Sequence, residues 1–308
     1  MRNLKIIFFW IICSIILANN ANSMENKILF KVNNEIITSM DIFTELKYLD
    51  TINEKFKNTK KQQAFEIAKK SLIREKIKEI QLKKVFKTIK IQDHFLDNLI
   101  MNYFKENQFE SISDFESYFN LIGINPNIIK KKITIEALWN RLIYKKYNQN
   151  VKIDRQAIVN DLKKNNKQKE FLLYEILFNV DKNEKLKEKF NQIIDKINET
   201  NFSETAQTYS LSDTANKGGE IGWIKNSSMS KKIRNELQDI IVGDYSEPIV
   251  VPGGFLILKI EDTREVDNNF DLNKEIETII IEKTNNQLNQ YSIIFFNKVK
   301  KDITINEL

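Results

Sequence analysis

A chain that acts chemically on a ligand needs side chains that titrate, coordinate or attack, and this sequence has few in useful patterns. Its 308 residues contain one histidine, His94, and one cysteine, Cys13. A zinc site needs several imidazole or thiolate ligands at short spacing, so no metal site is expected. His94 stands among apolar and charged residues of a helical pattern and reads as an ordinary surface or core histidine. Gly218-Gly219 is followed by a strand pattern and lacks the lysine of a phosphate-cradling loop, which excludes nucleotide. No cofactor is expected. Lysine plus arginine number 48 against 42 acidic residues, a net charge of +6. These charges are interspersed along helical stretches, the pattern of a solvated surface rather than a nucleic-acid patch.

Any remaining chemistry must come from side chains that the fold brings together. Six of the seven glycines fall between Gly218 and Gly254, with Pro248 and Pro252 in the same stretch. Elsewhere, long segments nearly free of both residues carry apolar side chains at spacings of three and four, which predicts helices. A short hairpin is expected at Ile28–Val32 and Glu35–Ile37, turning at Asn33-Asn34. Helices are expected from near Met40, from Lys61 to Phe86, Asp93 to Glu106, Ser113 to Leu121 with Ser113 as cap, from Pro126 onward, and from Asp154 to Lys164. A compact α/β module follows: strand Phe171–Phe178, helix Glu184–Asn198, helix Phe202–Tyr209, and a glycine turn running into strand Glu220–Ile224. Helix Ile233–Ile241 and strands Pro248–Val251 and Phe255–Ile260 complete it. One long helix, Leu272–Lys300, and a strand at Ile303–Ile305 end the chain. The fold class is α+β, a mostly helical body with one inserted α/β module. The two long helices are expected to pack together with the N-terminal hairpin and the terminal strand. A groove between them would take extended apolar segments of an unfolded polypeptide.

The order of elements in the module resembles the parvulin fold, and local motifs agree. Asn201-Phe202-Ser203-Glu204-Thr205-Ala206 is similar to the short helix before the parvulin active-site loop. Tyr209-Ser210 through Gly218-Gly219-Glu220-Ile221-Gly222-Trp223-Ile224 is similar to the signature loop, and Gly243-Asp244-Tyr245-Ser246-Glu247-Pro248-Ile249 to the turn before the last hairpin. The flanks, Val32 to Thr38 with Asp41, and Leu72-Ile73, resemble the N-terminal domain of the SurA-type periplasmic chaperones. Members of that family commonly carry two parvulin modules; this chain has room for one. The resemblance implies an N-terminal domain at 24–168, a parvulin-like domain at 169–265, and a C-terminal helix and strand at 266–308 that pack on the N-terminal domain.

It also implies a chemistry. Rotation about an X–Pro bond faces a barrier of about 18–20 kcal/mol. A catalyst must hold proline in an apolar pocket and favour the twisted amide electrostatically. Parvulins place two histidines on the sheet floor beside a Cys or Asp from the signature loop. Here the first histidine position is Glu175, the second is Leu256, and the loop position is Ser212, with Asp213 one residue later. The proline cup maps to Ile221, Met229 and Ile233. With no imidazole in the site, the resemblance implies a chaperone whose parvulin domain is weak or inactive as an isomerase. An active prolyl isomerase using Glu175, Ser212 or Asp213, and Met229 is the second reading.

Arg2 and Lys5 precede a continuous apolar run from Ile6 to Leu17, and Ala21 and Ser23 occupy −3 and −1 of a cut before Met24. That pattern predicts a secretory signal peptide, residues 1–23, and hence a periplasmic protein. The run is shorter than the 20 or so residues of a membrane span; retained, it would make a membrane-anchored folding factor. Of the 48 basic side chains, removal of Arg2 and Lys5 leaves 46 against 42 acidic ones, and Cys13 is lost too. The partners expected are unfolded outer-membrane or other exported proteins, with transient contact to the outer-membrane assembly machinery.

Overall fold

The computed structural model describes residues 26–164, 167–180, 183–267 and 271–308. The signal peptide expected at residues 1–23 lies outside them. The fold is α+β. Strands β1 (Ile28–Val32) and β2 (Glu35–Thr38) form a hairpin whose turn residue Asn33 has φ of 51°. Asparagine tolerates that left-handed conformation better than other non-glycine residues. Helix α1 (Ser39–Ile52) starts at Thr38, whose hydroxyl accepts from the Asp41 N–H while the Asp41 carboxylate accepts from the Thr38 N–H. This reciprocal cap satisfies two amides that the first turn leaves unpaired.

Helices α2 (Lys61–Lys83), α3 (Asp93–Tyr103), α4 (Ile112–Leu121), α5 (Pro126–Tyr147) and α6 (Arg155–Lys164) follow. The cap of α4 is Ser111, not Ser113, because the Asp114 N–H bonds to the Ser111 hydroxyl. An aromatic cluster of Phe104, Phe115 and Phe119 binds α3, α4 and α5 together. The larger body core joins Ile67, Ala68, Leu72 and Ile77 of α2 to Leu138, Trp139 and Leu142 of α5.

The module is an antiparallel sheet of β3 (Lys167–Phe178), β4 (Glu220–Lys225), β5 (Ile249–Val251) and β6 (Gly254–Asp267), in the order β4-β3-β6-β5. Helices α7 (Leu186–Glu199) and α8 (Phe202–Tyr209) cover one face, on Tyr174, Ile176, Phe178 and Ile257. Helix α9 (Lys231–Leu237) lies on the other and stops before the β-branched run Ile240-Ile241-Val242, so it is shorter than the spacing predicts.

Helix α10 (Leu272–Lys300) crosses the whole molecule. Ile276 and Ile279 pack on Ile158 and Leu162 of α6, while Phe295, Phe296 and Val299 enter the body core beside Phe30 and Val32. The buried Trp139 indole donates to the Ser292 hydroxyl at 2.8 Å, which removes the cost of an unpaired polar group there. The last strand, β7 (Ile305–Glu307), pairs antiparallel with β1. It starts two residues later than Ile303: Ile303 is buried in the core, and Thr304 exchanges two hydrogen bonds with Asn33. No helix among the described residues is long and apolar enough to cross a membrane.

Candidate functional site

Side chains alternate along a strand, and Glu175 and Leu177 of β3 therefore share a face with Leu256 and Leu258 of β6. The register sets Glu175 opposite Leu258 and Leu256 opposite Leu177. Glu175 and Leu256 are thus diagonal neighbours on one floor rather than a direct pair. Leu256 and Met229 are 7% and 5% exposed, and Ile221 and Ile233 pack against the same cluster.

The glycine pair fixes the loop beside this floor. Gly218 and Gly219 have φ of 71° and 81°, the left-handed region. A Cβ on Gly219 would stand 2.3 Å from the Glu175 carbonyl oxygen, and one on Gly218 would stand 1.8 Å from Ser203 Oγ. The chain passes this close because the Glu175 N–H donates to the Gly219 carbonyl at 2.7 Å.

That approach brings the loop hydroxyls onto the acid. Ser212 Oγ and Thr214 Oγ1 donate to Glu175 Oε1 at 2.5 and 2.9 Å. Oε2 has no partner among the described residues. Burial raises the Glu175 pKa; the two hydroxyls work against that, and the Asp213 charge adds to it. Thr214 was not among the sequence candidates, though a second hydroxyl two residues after Ser212 was a readable signal.

Asp213 turns toward the helical body. Its Oδ1 lies 2.9 Å from Lys78 Nζ and 3.8 Å from Arg74 Nη1, both on α2. Burial opposes ionisation of Asp213, but Lys78 and Arg74 overcome it and hold the carboxyl below the usual range. Lys78, itself 2% exposed in its side chain, also meets Glu136 of α5 at 2.7 Å. Arg74 donates to the carbonyls of Ser212 and Ser210 at 2.6 and 3.0 Å. These cations stand far from the loop in sequence, and nothing local in the sequence marks them.

All seven residues that the sequence singles out, Glu175, Ser212, Asp213, Leu256, Ile221, Met229 and Ile233, line one cavity of about 530 Å³. Its opposite wall comes from α6 and α10, with Ile158, Asp161, Lys283, Gln290 and Ile293. This cavity lies between the module and α10, whereas the groove expected from sequence lay between the two long helices. Lys283 Nζ donates to the Met229 carbonyl at 2.9 Å, and burial lowers the lysine's pKa. Arg234 of α9 pairs with Asp161 of α6 at 2.9 Å. Lys225 meets Glu275 of α10 at 2.7 Å. The module is thus held to the body on both sides of the cavity. His94 is not among its lining residues and is exposed on α3 beside Asn98.

Chemically, the cavity offers an apolar floor with the Glu175 carboxyl on it, further carboxylates of Asp154, Asp161 and Asp213 in its lining, and no imidazole among its lining residues. It can receive an apolar side chain and hydrogen-bond one polar group beside it.

Residues 175–262 match the model of the rotamase family described as the PPIC-type PPIase domain. The chaperone SurA of Pseudomonas putida is 26% identical over 165 residues, half of this chain and 39% of that protein. SurA of Pseudomonas fluorescens is 41% identical over 63 residues, 20% of this chain and 15% of that one. The chain thus spans well under half the length of these relatives. Among solved structures, a PpiC-type peptidyl-prolyl cis-trans isomerase domain aligns at 25% identity with a TM-score of 0.29, over 33% of this chain and 96% of that one. A structure from a report on two SurA-like chaperones of Campylobacter jejuni aligns at 17% identity with a TM-score of 0.37, over 92% and 99%. The PPIC-type PPIase domain match thus falls on the sheet and loop that form the cavity, and half of the chain is similar to SurA chaperones.

Proposed function

We propose that this protein is a periplasmic chaperone that binds unfolded exported polypeptides, outer-membrane proteins among them, and that its PpiC-type domain binds clients more than it isomerises them. In this reading residues 1–23 are removed on export, residues 169–265 are the domain, and 24–168 with 266–308 are the body. The observation that carries it is the cavity itself. Its floor has kept an apolar cup, Met229 with Ile221 and Ile233, while aliphatic Leu256 and the acid Glu175 stand where paired imidazoles are expected. Apolar burial alone supplies binding that tolerates many client sequences. It does not supply the preferential stabilisation of a twisted amide that catalysis requires.

The experiment is a paired assay on residues 24–308. One arm follows aggregation of a urea-diluted outer-membrane β-barrel protein; the other follows cis/trans isomerisation of a proline tetrapeptide. Suppressed aggregation with isomerisation near the uncatalysed rate is the expected result. Unchanged aggregation at excess protein would sink the proposal.

A second reading, an active isomerase, is favoured by one feature: Glu175 lines the cavity with its pKa raised by burial, and a protonated carboxyl there could donate to the substrate amide. Marked acceleration that Met229→Ala abolishes would support it.

A further inference from the structure

The wall of the cavity opposite the sheet has an unusual composition. Along α10, Lys283, Asn286, Asn289, Gln290 and Ile293 recur at spacings of three and four and form one stripe, all of it lining the cavity. A helix that merely closed an apolar cleft would present apolar side chains there, as α10 does with Phe295 and Phe296 where it meets the body core. Instead four carboxamides, those of Asn286, Gln287, Asn289 and Gln290, line the same cavity as Leu256, Met229 and Ile233. Asn286, Asn289 and Gln290 make no side-chain hydrogen bond to any described residue.

Their neighbour Gln287 demonstrates what such a side chain does on this helix. Its Oε1 accepts from the Lys152 N–H at 3.0 Å, and its Nε2 donates to the Lys152 carbonyl at 2.8 Å. One carboxamide thereby satisfies both polar groups of one backbone unit, because it carries a donor and an acceptor as the peptide group does. An extended segment leaves its N–H and C=O groups unpaired, and burying them unpaired is costly.

We propose that the cavity is a two-walled peptide chamber in which Asn286, Asn289 and Gln290 of α10 hydrogen-bond the backbone of an extended, unfolded segment while its proline or aliphatic side chain rests on Leu256, Met229 and Ile233. The proposal rests on the client-binding reading above and adds the second wall to it. Backbone recognition is independent of sequence, so the selectivity of the chamber comes from the apolar floor alone. The helical body, and not the PpiC-type domain by itself, completes the site.

The test uses residues 24–308 and a capped, fluorescein-labelled decapeptide centred on Ala-Leu-Pro-Phe, with affinity read by anisotropy. The triple variant Asn286→Ala, Asn289→Ala, Gln290→Ala is expected to raise Kd roughly tenfold. These residues are exposed or half-buried, alanine favours helix, and an unchanged melting temperature verifies the fold. Met229→Ala is expected to weaken binding as well. A decapeptide N-methylated on either side of its Leu-Pro pair is expected to bind the wild type about as poorly as the plain peptide binds the triple variant. If the triple variant binds like the wild type while Met229→Ala weakens binding, the carboxamide wall is wrong and the client cleft survives. If neither substitution changes Kd, or the wild type does not bind, both fail.

Discussion

Glu175 sits where its own charge is costly. The carboxyl lines the cavity with two hydroxyls on Oε1, and burial raises its pKa above the value of 4.5 that it has when unfolded. The native state therefore holds a proton that the unfolded chain releases between those two values, and stability from this group falls as pH rises through that window. Glu175→Gln keeps the acceptor for both hydroxyls and removes the charge. The variant is expected to gain on the wild type as pH rises from 4 and to level off once wild-type Glu175 is ionised. Urea unfolding midpoints at pH 4, 6 and 8 check this; a gap that is the same at all three would contradict it. Gly219 gives a prediction of opposite sign. With φ of 81° and the Glu175 carbonyl 2.3 Å from any added Cβ, Gly219→Ala must move the loop away from β3. A loss of about 2–3 kcal/mol is expected, with weaker peptide binding, because Ser212 and Thr214 move too.

At the scale of elements, α2 holds the loop of Ser210 to Asp213 in place. Lys78 is the buried member of its cluster; the Asp213 and Glu136 side chains keep about half their surface open to water. Removing the lysine strands two carboxylates that solvent can partly satisfy. Lys78→Ala is thus expected to cost about 2 kcal/mol, below the usual range for a fully buried pair, and thermal melting measures it. The same elements show what sequence can and cannot disclose. Helices with apolar stripes, and the floor residues of β3 and β6, are legible because periodicity is local. The ends of β3 and β6 are not. Lys167 to Glu170 pair with Arg264 to Asp267, and of these eight residues Val266 alone is apolar. Their stability comes from contacts such as Arg264 with Glu170 at 2.7 Å and the Arg264 guanidinium 4.1 Å from the Trp223 ring. No apolar alternation announces them. The seven cavity residues were legible one by one, yet the second wall on α10 was not, because a carboxamide stripe reads in sequence as ordinary helix surface.

At the scale of the molecule, domain and body are bound at both rims of the cavity. Arg74, Lys78 and Asn216 tie the loop to α2, where Ser71 receives Asn216; Arg234 and Lys225 tie the sheet side to α6 and α10. Independent domains melt separately, whereas coupled ones share a transition. Scanning calorimetry of residues 24–308 is expected to give a single transition. The double variant Arg74→Ala, Lys78→Ala is expected to separate it into two. Two transitions in the wild type would show that these contacts do not couple the parts.

Asn33 has a consequence for how the chain assembles in time. Its backbone N–H and side-chain oxygen hold Thr304, and β1 gains its second neighbour only from Ile305–Glu307. A polypeptide emerging N-terminus first must therefore hold its opening hairpin half-paired until Ile305–Glu307 appear, while the sheet of β3 to β6 closes over a much shorter loop. Long-range closure is slow relative to local closure. The sheet of β3 to β6 is therefore expected to close first, and the body to be completed only once α10 and β7 have been made.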